Sequence, residues 1–116
     1  MDDRRRLLKT YLLIERGPRC EVCGRETMGH PDLHEIVPRS RIQGNRLAEH
    51  VLFSLPHLGA LVCPACHASH AGIDAEATRA LWLNNIHRYG REAVQAALDL
   101  LAAALKSPLG VALPEE

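Results

Sequence analysis

Aromatic residues are scarce in this chain: one Trp, one Phe and two Tyr make up 3% of its 116 residues. A core with so few rings has to be built from Leu, Ala, Val and Ile, which suits small packed helices better than a β-sandwich. Long apolar runs are missing too, and none approaches the ~20 residues needed to span a bilayer. The opening "MDDRRRLLKT" is charged and has neither an apolar h-region nor a small-residue cleavage site, so no secretory leader is expected. The resulting expectation is an intracellular, cytoplasmic protein without membrane attachment, whose thiols stay reduced. Net charge is absent as well, with 14 Lys and Arg against 14 Asp and Glu. Zero net charge argues weakly against a nucleic-acid partner, because phosphate binding calls for positive surface. The charge is unevenly spread, however. Residues 1–46 hold ten Arg/Lys against seven Asp/Glu, and twelve of the fourteen cationic residues are arginine, the type suited to bidentate phosphate contact. Solvated helix faces and surface ion pairs account for most of these arginines equally well.

What the chain does contain is helical periodicity at both ends. Residues 2–16 read as a helix: Asp2 and Asp3 suit its N-terminal dipole, and Leu7, Leu8, Tyr11, Leu12 and Ile14 form an apolar stripe. Gly17-Pro18 ends it. Residues 25–62 look irregular apart from a short strand at 33–37, closed by Pro38, and a second extended piece at 59–62. A helix is expected to start near Cys66. Asp74 can cap a helix over 75–89, with Trp82 in the core, Gly90 breaks it, and an Ala/Leu-rich helix follows to about Lys106. The tail "SPLGVALPEE" has two prolines and ends in acids, so it is expected to be loose. His30, His50 and His87 fall where loop or surface positions are expected.

The four cysteines are the strongest signal. Cys20-x2-Cys23 and Cys63-x2-Cys66 are two copies of one spacing, and two intervening residues let both sulfurs of a knuckle converge on one ion. Gly24 can take the positive φ that the first knuckle needs. A tetrahedral structural Zn²⁺ is the natural reading; a redox pair would call for a βαβ pattern that neither CxxC has around it. Thirty-nine residues separate Cys23 from Cys63, so the metal would staple the ends of an inserted unit. That unit contains "LHEIVPRSR" (33–41), and the second knuckle runs straight into "HASH" (67–70). His67 and His70, at i and i+3 on a helix, would share a face and be brought towards His34 and Glu35 by the staple.

CxxCG, then a histidine-containing pair followed by "IVPRS", then "LVCPACH", resemble in order and spacing the HNH endonuclease family in its zinc-clamped ββα-metal form. The resemblance covers residues 18–71, and the helices beyond are similar to those that follow the motif in compact phage-type members. It implies an α+β, mainly helical single nuclease domain over 1–116. Its parts would be an N-terminal helix at 1–17, a clamped ββα-metal core at 18–73, a helical pair at 74–106 and the loose tail at 107–116. The family usually carries Asp-His or His-His before I-x-P, the first residue binding a divalent metal and the second acting as general base. Proline lies three residues beyond that base, and Pro38 is three beyond Glu35. His34 thus falls on the ligand position and Glu35 on the base position. A carboxylate there departs from the family's imidazole and is the weaker base at its ordinary pKa of about 4.3. Glu35 acts as base, or His34 does while the metal relies on other ligands, or activity is lost; the preferred reading lets His34 and Glu35 share the two roles. His67 falls on the second ligand position, and His70 is a further candidate ligand. The family's middle Asn is not in register, which leaves its orienting role between His57 and Asn45.

The resemblance further implies DNA as partner and phosphodiester hydrolysis as the reaction. Nicking with low sequence specificity would be the elementary event, with Arg39 and Arg41 on phosphate and Mg²⁺, Mn²⁺ or Ni²⁺ as the working ion. Phage packaging proteins are possible associates, with the host cytoplasm as compartment. Two other readings use the same residues: a zinc-clamped DNA-binding module without catalysis, and a protein–protein adaptor that works through the helix at 91–106.

Overall fold

In the computed structural model, which describes residues 3–42, 44–68 and 73–116, the first helix, α1, spans Asp3–Arg16. Asp3 lies in its first turn and Arg16 in its last, each at the dipole end that favours its charge. Gly17 stops it at φ +80°, a left-handed conformation that costs glycine little, and its N–H donates to the Leu13 carbonyl at 2.9 Å. The apolar stripe is narrower than its sequence suggests. Leu8 and Leu12 are buried, whereas Leu7 and Ile14 stand 71% and 81% exposed. The helical repeat puts Arg5, Leu8, Leu12 and Arg16 on the inward line instead. Leu8 and Leu12 pack on Leu33 and Leu61 of the sheet.

The sheet has two antiparallel strands, β1 (Asp32–Glu35) and β2 (Gly59–Val62), in the register Leu33 opposite Leu61 and His34 opposite Ala60. Strand β1 alternates half-buried and buried residues, so Leu33 and Glu35 face α1 while Asp32 and His34 share the opposite face. Strand β2 is buried along its whole length. Replacing Leu12, which has no exposed surface, by Ala is expected to cost about 2–5 kcal/mol of stability, because it opens a cavity between α1 and both strands. Chemical denaturation with the m-value held constant measures this; a loss below ~1 kcal/mol would show that α1 does not seal the sheet.

The insert between the strands holds a short 3-10 turn, Arg39–Arg41, and helix α2, Arg46–Leu52, where the sequence predicts only irregular chain. Asn45 caps α2, its side chain accepting the Ala48 N–H at 2.9 Å. A second 3-10 turn, Pro56–Leu58, leads into β2, and helix α3, Pro64–Ala68, leaves it directly. Helices α4 (Ala75–Tyr89) and α5 (Arg91–Leu105) complete the chain. Asp74 caps α4 by accepting the Ala77 N–H at 2.8 Å, and Gly90 turns the chain at φ +90°. Trp82, Leu81 and Ile86 from α4 meet Val94, Leu98 and Leu101 from α5 and Leu52 from α2 in the main core. The fold is α+β and mainly helical, with five helices and one two-stranded sheet among the described residues. No helix among the described residues is long and apolar enough to cross a membrane.

The tail departs from expectation. Residues 107–116 have no helix or strand, yet Leu109 is buried in the main core. Three arginines from three different elements hold the backbone: Arg41 donates to the Leu109 carbonyl at 2.6 Å, Arg91 to Pro114 at 2.5 Å and Arg79 to Glu115 at 2.9 Å. Carbonyls that no helix or strand pairs are thus satisfied by guanidinium donors.

Candidate metal centre and cleft

The four cysteines come together. The donor atoms of Cys20, Cys23, Cys63 and Cys66 all lie within 4.8 Å of one another, with the sulfurs of Cys23 and Cys63 3.9 Å apart. Each knuckle folds the same way: the N–H of Cys23 points at the Cys20 sulfur at 3.5 Å and the N–H of Cys66 at the Cys63 sulfur at 3.4 Å. Gly24 has φ +76°, as the first knuckle requires. Burial works against a thiolate at Cys20, but backbone N–H groups of Cys23, Cys63 and Val22 outweigh it and bring the group down to about 7. Burial and contact with the other three sulfurs push Cys66 up to about 12. One thiol made acidic and another made basic is what crowding four sulfurs without a counter-charge produces, and a divalent cation would turn all four into ligands. The donor set is therefore positioned to hold a metal ion, and four sulfurs are consistent with structural zinc.

The first knuckle is locked to β2 by a buried ionic network. The Glu21 N–H donates to the Leu61 carbonyl, and the Glu21 carboxylate accepts from the Leu61 N–H at 2.6 Å, from Arg16 at 3.0 Å and from Arg88 at 2.8 Å. Arg16, whose side chain is 2% exposed, also donates to the Gly59 and Pro56 carbonyls. Asn85 of α4, fully buried, donates to the carbonyls of His57 and Gly59 at 3.0 and 3.1 Å and so fixes the chain entering β2. The clue in the sequence is an Asn one turn beyond Leu81 on the apolar face that also holds Trp82 and Ile86.

The second knuckle aims His67. Its backbone N–H closes the first turn of α3 on the Cys63 carbonyl at 3.0 Å, and its ring meets that of His34 edge to face, centroids 5.6 Å apart. His67 Nδ1 lies 3.1 Å from Asp32 Oδ2. A proton on Nδ1, shared with that carboxylate, leaves the Nε2 lone pair free. Burial, then the neighbouring His67, lower the pKa of His34, against a smaller opposing pull from Glu35, which keeps His34 neutral and able to donate a lone pair at pH 7. Asp32 was not singled out in the sequence; its place two residues before His34, on the same strand face, was the signal.

His34 and His67 line an open cleft of roughly 800 Å³, bounded across from them by Arg79 and Trp82 of α4 and by tail residues 110–114. Glu35 also reaches the cleft, but from the other strand face. Its carboxylate is 6% exposed and Oε1 is ion-paired with Arg5 Nε at 2.5 Å. Among the described residues Oε2 has no hydrogen-bond partner. Arg41 lines the cleft as well, while Arg39 lies over the Phe53 ring, its guanidinium carbon 5.6 Å from the centroid. Neither residue considered for an orienting role meets the imidazole pair: Asn45 caps α2, and His57 packs on Tyr89, with ring centroids 4.5 Å apart. His70 lies outside the described residues. Among the described residues the four cysteines are the one cluster of three or more ligand groups this close together.

Family models, curated proteins and solved structures were each compared with the chain, and none matches it.

Proposed function

We propose that this chain is a metal-dependent endonuclease that hydrolyses phosphodiester bonds in DNA, with a structural zinc in its four cysteines. The observation that carries the reading is the meeting of His34 from β1 with His67 from α3, 5.6 Å apart, on the cleft wall beside the cysteine cluster. The order strand, strand, short helix, with one imidazole on the first strand and one on the helix, agrees with the HNH resemblance of the sequence. The charge of the cleft supports an anionic substrate, since Arg41 and Arg79 line it and, among the described residues, its one carboxylate, Glu35, is ion-paired with Arg5.

A divalent ion such as Mg²⁺, Mn²⁺ or Ni²⁺, held by His34 and His67, would polarise the scissile phosphate and stabilise the leaving 3′-oxygen. Asp32 holds the His67 ring so that Nε2, not Nδ1, faces the cleft. Glu35 would take a proton from the attacking water through Oε2, while Arg5 anchors Oε1. Arg41, which lines the same cleft, would contact the phosphate backbone of the strand. With a single ion and no evident base-reading helix, single-strand nicking with weak sequence preference follows, and phosphate contacts dominate binding.

Supercoiled plasmid incubated with Mn²⁺ tests the reading. Nicking that stops with chelator, returns with Mn²⁺ and is lost in His34→Ala is the expected result; an intact plasmid at high protein concentration with each of the three ions would refute it. Glu35→Gln separates the two candidate bases. It keeps the side chain's shape but removes its proton affinity, so nicking should fall by about a hundredfold or more. An unchanged rate would move the proton to His34.

A further inference from the structure

Arg79 belongs to no motif in the sequence, yet it shares a cleft with the imidazole pair. We infer that Arg79 of α4 and Arg41 of the 3-10 turn form a phosphate subsite, held by the backbone of residues 107–116, that grips a phosphate of the substrate strand next to the one at His34 and His67. The inference rests on the nuclease reading and adds to it the part of the substrate these two residues hold.

Both residues are exposed, both line the cleft, and among the described residues neither is ion-paired with a carboxylate. Each spends one nitrogen on a tail carbonyl: Arg41 Nη1 on Leu109 at 2.6 Å, Arg79 Nη2 on Glu115 at 2.9 Å. A guanidinium has five N–H donors, so each keeps most of its fork for an anion. The carbonyl bonds limit the rotamers of two long side chains that would otherwise lose their freedom only on binding. Arg91 plays no such part: it holds Pro114 from α5 and does not line the cleft. Its cousins on the opposite face, Arg16 and Arg88, are consumed by Glu21. Two unpaired cations beside two imidazoles, with the Glu35 charge already balanced, make a local positive field in a chain of zero net charge. The spacing of charges along a nucleic-acid strand is what such a row would meet.

Equilibrium binding of a labelled ~16-base-pair duplex, measured by anisotropy across a salt series without added divalent ion, tests this apart from chemistry. Arg79→Ala and Arg41→Ala should each weaken binding about tenfold at ~50 mM salt and lower the slope of log affinity against log salt by about 0.9. Arg79→Lys should keep the slope, and His34→Ala should bind like the parent while failing to nick. Gly110→Ala gives an independent handle, because a Cβ there would sit 2.9 Å from Arg41 Nη1 at φ +69°. It should weaken binding without removing a charge. If the parent binds and nicks but Arg79→Ala matches it in affinity and slope, the subsite is wrong and the nuclease reading stands. If the parent binds no duplex at all, both fall.

Discussion

Cys63→Ser is expected to destabilise the chain by more than any other single substitution considered, lowering its thermal midpoint by well over 10 °C or abolishing a cooperative transition. Cys63 is 6% exposed and joins β2 to α3, so its sulfur is held by backbone on both sides. Removing it leaves three crowded sulfurs, two of them on the other knuckle, with no fourth ligand to complete a tetrahedron. Apparent zinc affinities of sulfur sites are worth about 10–16 kcal/mol, as large as the whole stability of an ordinary domain at about 5–15 kcal/mol. A chain with 3% aromatic content has little core to fall back on. Leu33 and Leu61 of the strands pack on α1 and not in the main core of α2, α4 and α5, which holds only Ala60 of the sheet, so the knuckles carry much of the sheet's placement. Circular dichroism melts, with metal content by elemental analysis, check this. Chelator should act like the substitution, and zinc should reverse the chelator but not the substitution. A Cys63→Ser protein that melts within a few degrees of the parent, or a parent that carries no metal, would remove zinc from the account.

The elements legible in the sequence were those whose signal is local. Helices α1, α4 and α5 each run for 14 or 15 residues, enough turns for periodicity to register, and Asp74 and Gly90 mark their ends by cap chemistry. Strand β2 at 59–62 and the two knuckles were equally readable. Helix α2 was not: seven residues make about two turns, too few for a repeat to stand out, and its cap, Asn45, was weighed as a possible orienting residue instead. The site was legible where a covalent or metal constraint made distance small. His67 follows Cys66, and the staple had to bring it towards 33–41. What could not be read was any contact between side chains far apart in sequence. Nothing in "DDRRRLLKT" says that Arg5 will neutralise Glu35, thirty residues on, and nothing in "CEVCG" says that Glu21 will meet Arg88 of α4. The tail misled for the same reason. Two prolines argue locally for loose chain, and only the fold brings Arg41, Arg79 and Arg91 round to its carbonyls.

His67→Ala is expected to abolish nicking while leaving the fold intact, and the contrast with Asp32→Asn gives the test its force. The His67 side chain is 38% exposed and packs in no core cluster, so its loss should move the thermal midpoint by only a few degrees. Its chemistry is another matter. Among the described residues it is one of two imidazoles in the cleft, with His34, and under the proposed mechanism removing either would take away one of the two protein ligands of the divalent ion. Asp32 acts one step back, fixing the ring through Nδ1 at 3.1 Å, and losses at such supporting positions run about 10–100-fold. Asp32→Asn keeps an acceptor oxygen and should therefore fall in that range, partly recovered by raising Mn²⁺. His67→Ala should fall further, beyond a hundredfold, and respond much less to added ion. Duplex affinity measured without divalent ion should stay at the parental value in both, since the phosphate contacts are assigned to Arg41 and Arg79. The ordering is the decisive readout. If Asp32→Asn loses as much as His67→Ala, the carboxylate is itself a ligand and the imidazole pair has been given the wrong partner; if neither loses anything, the cleft beside the cysteines is not where the strand is cut.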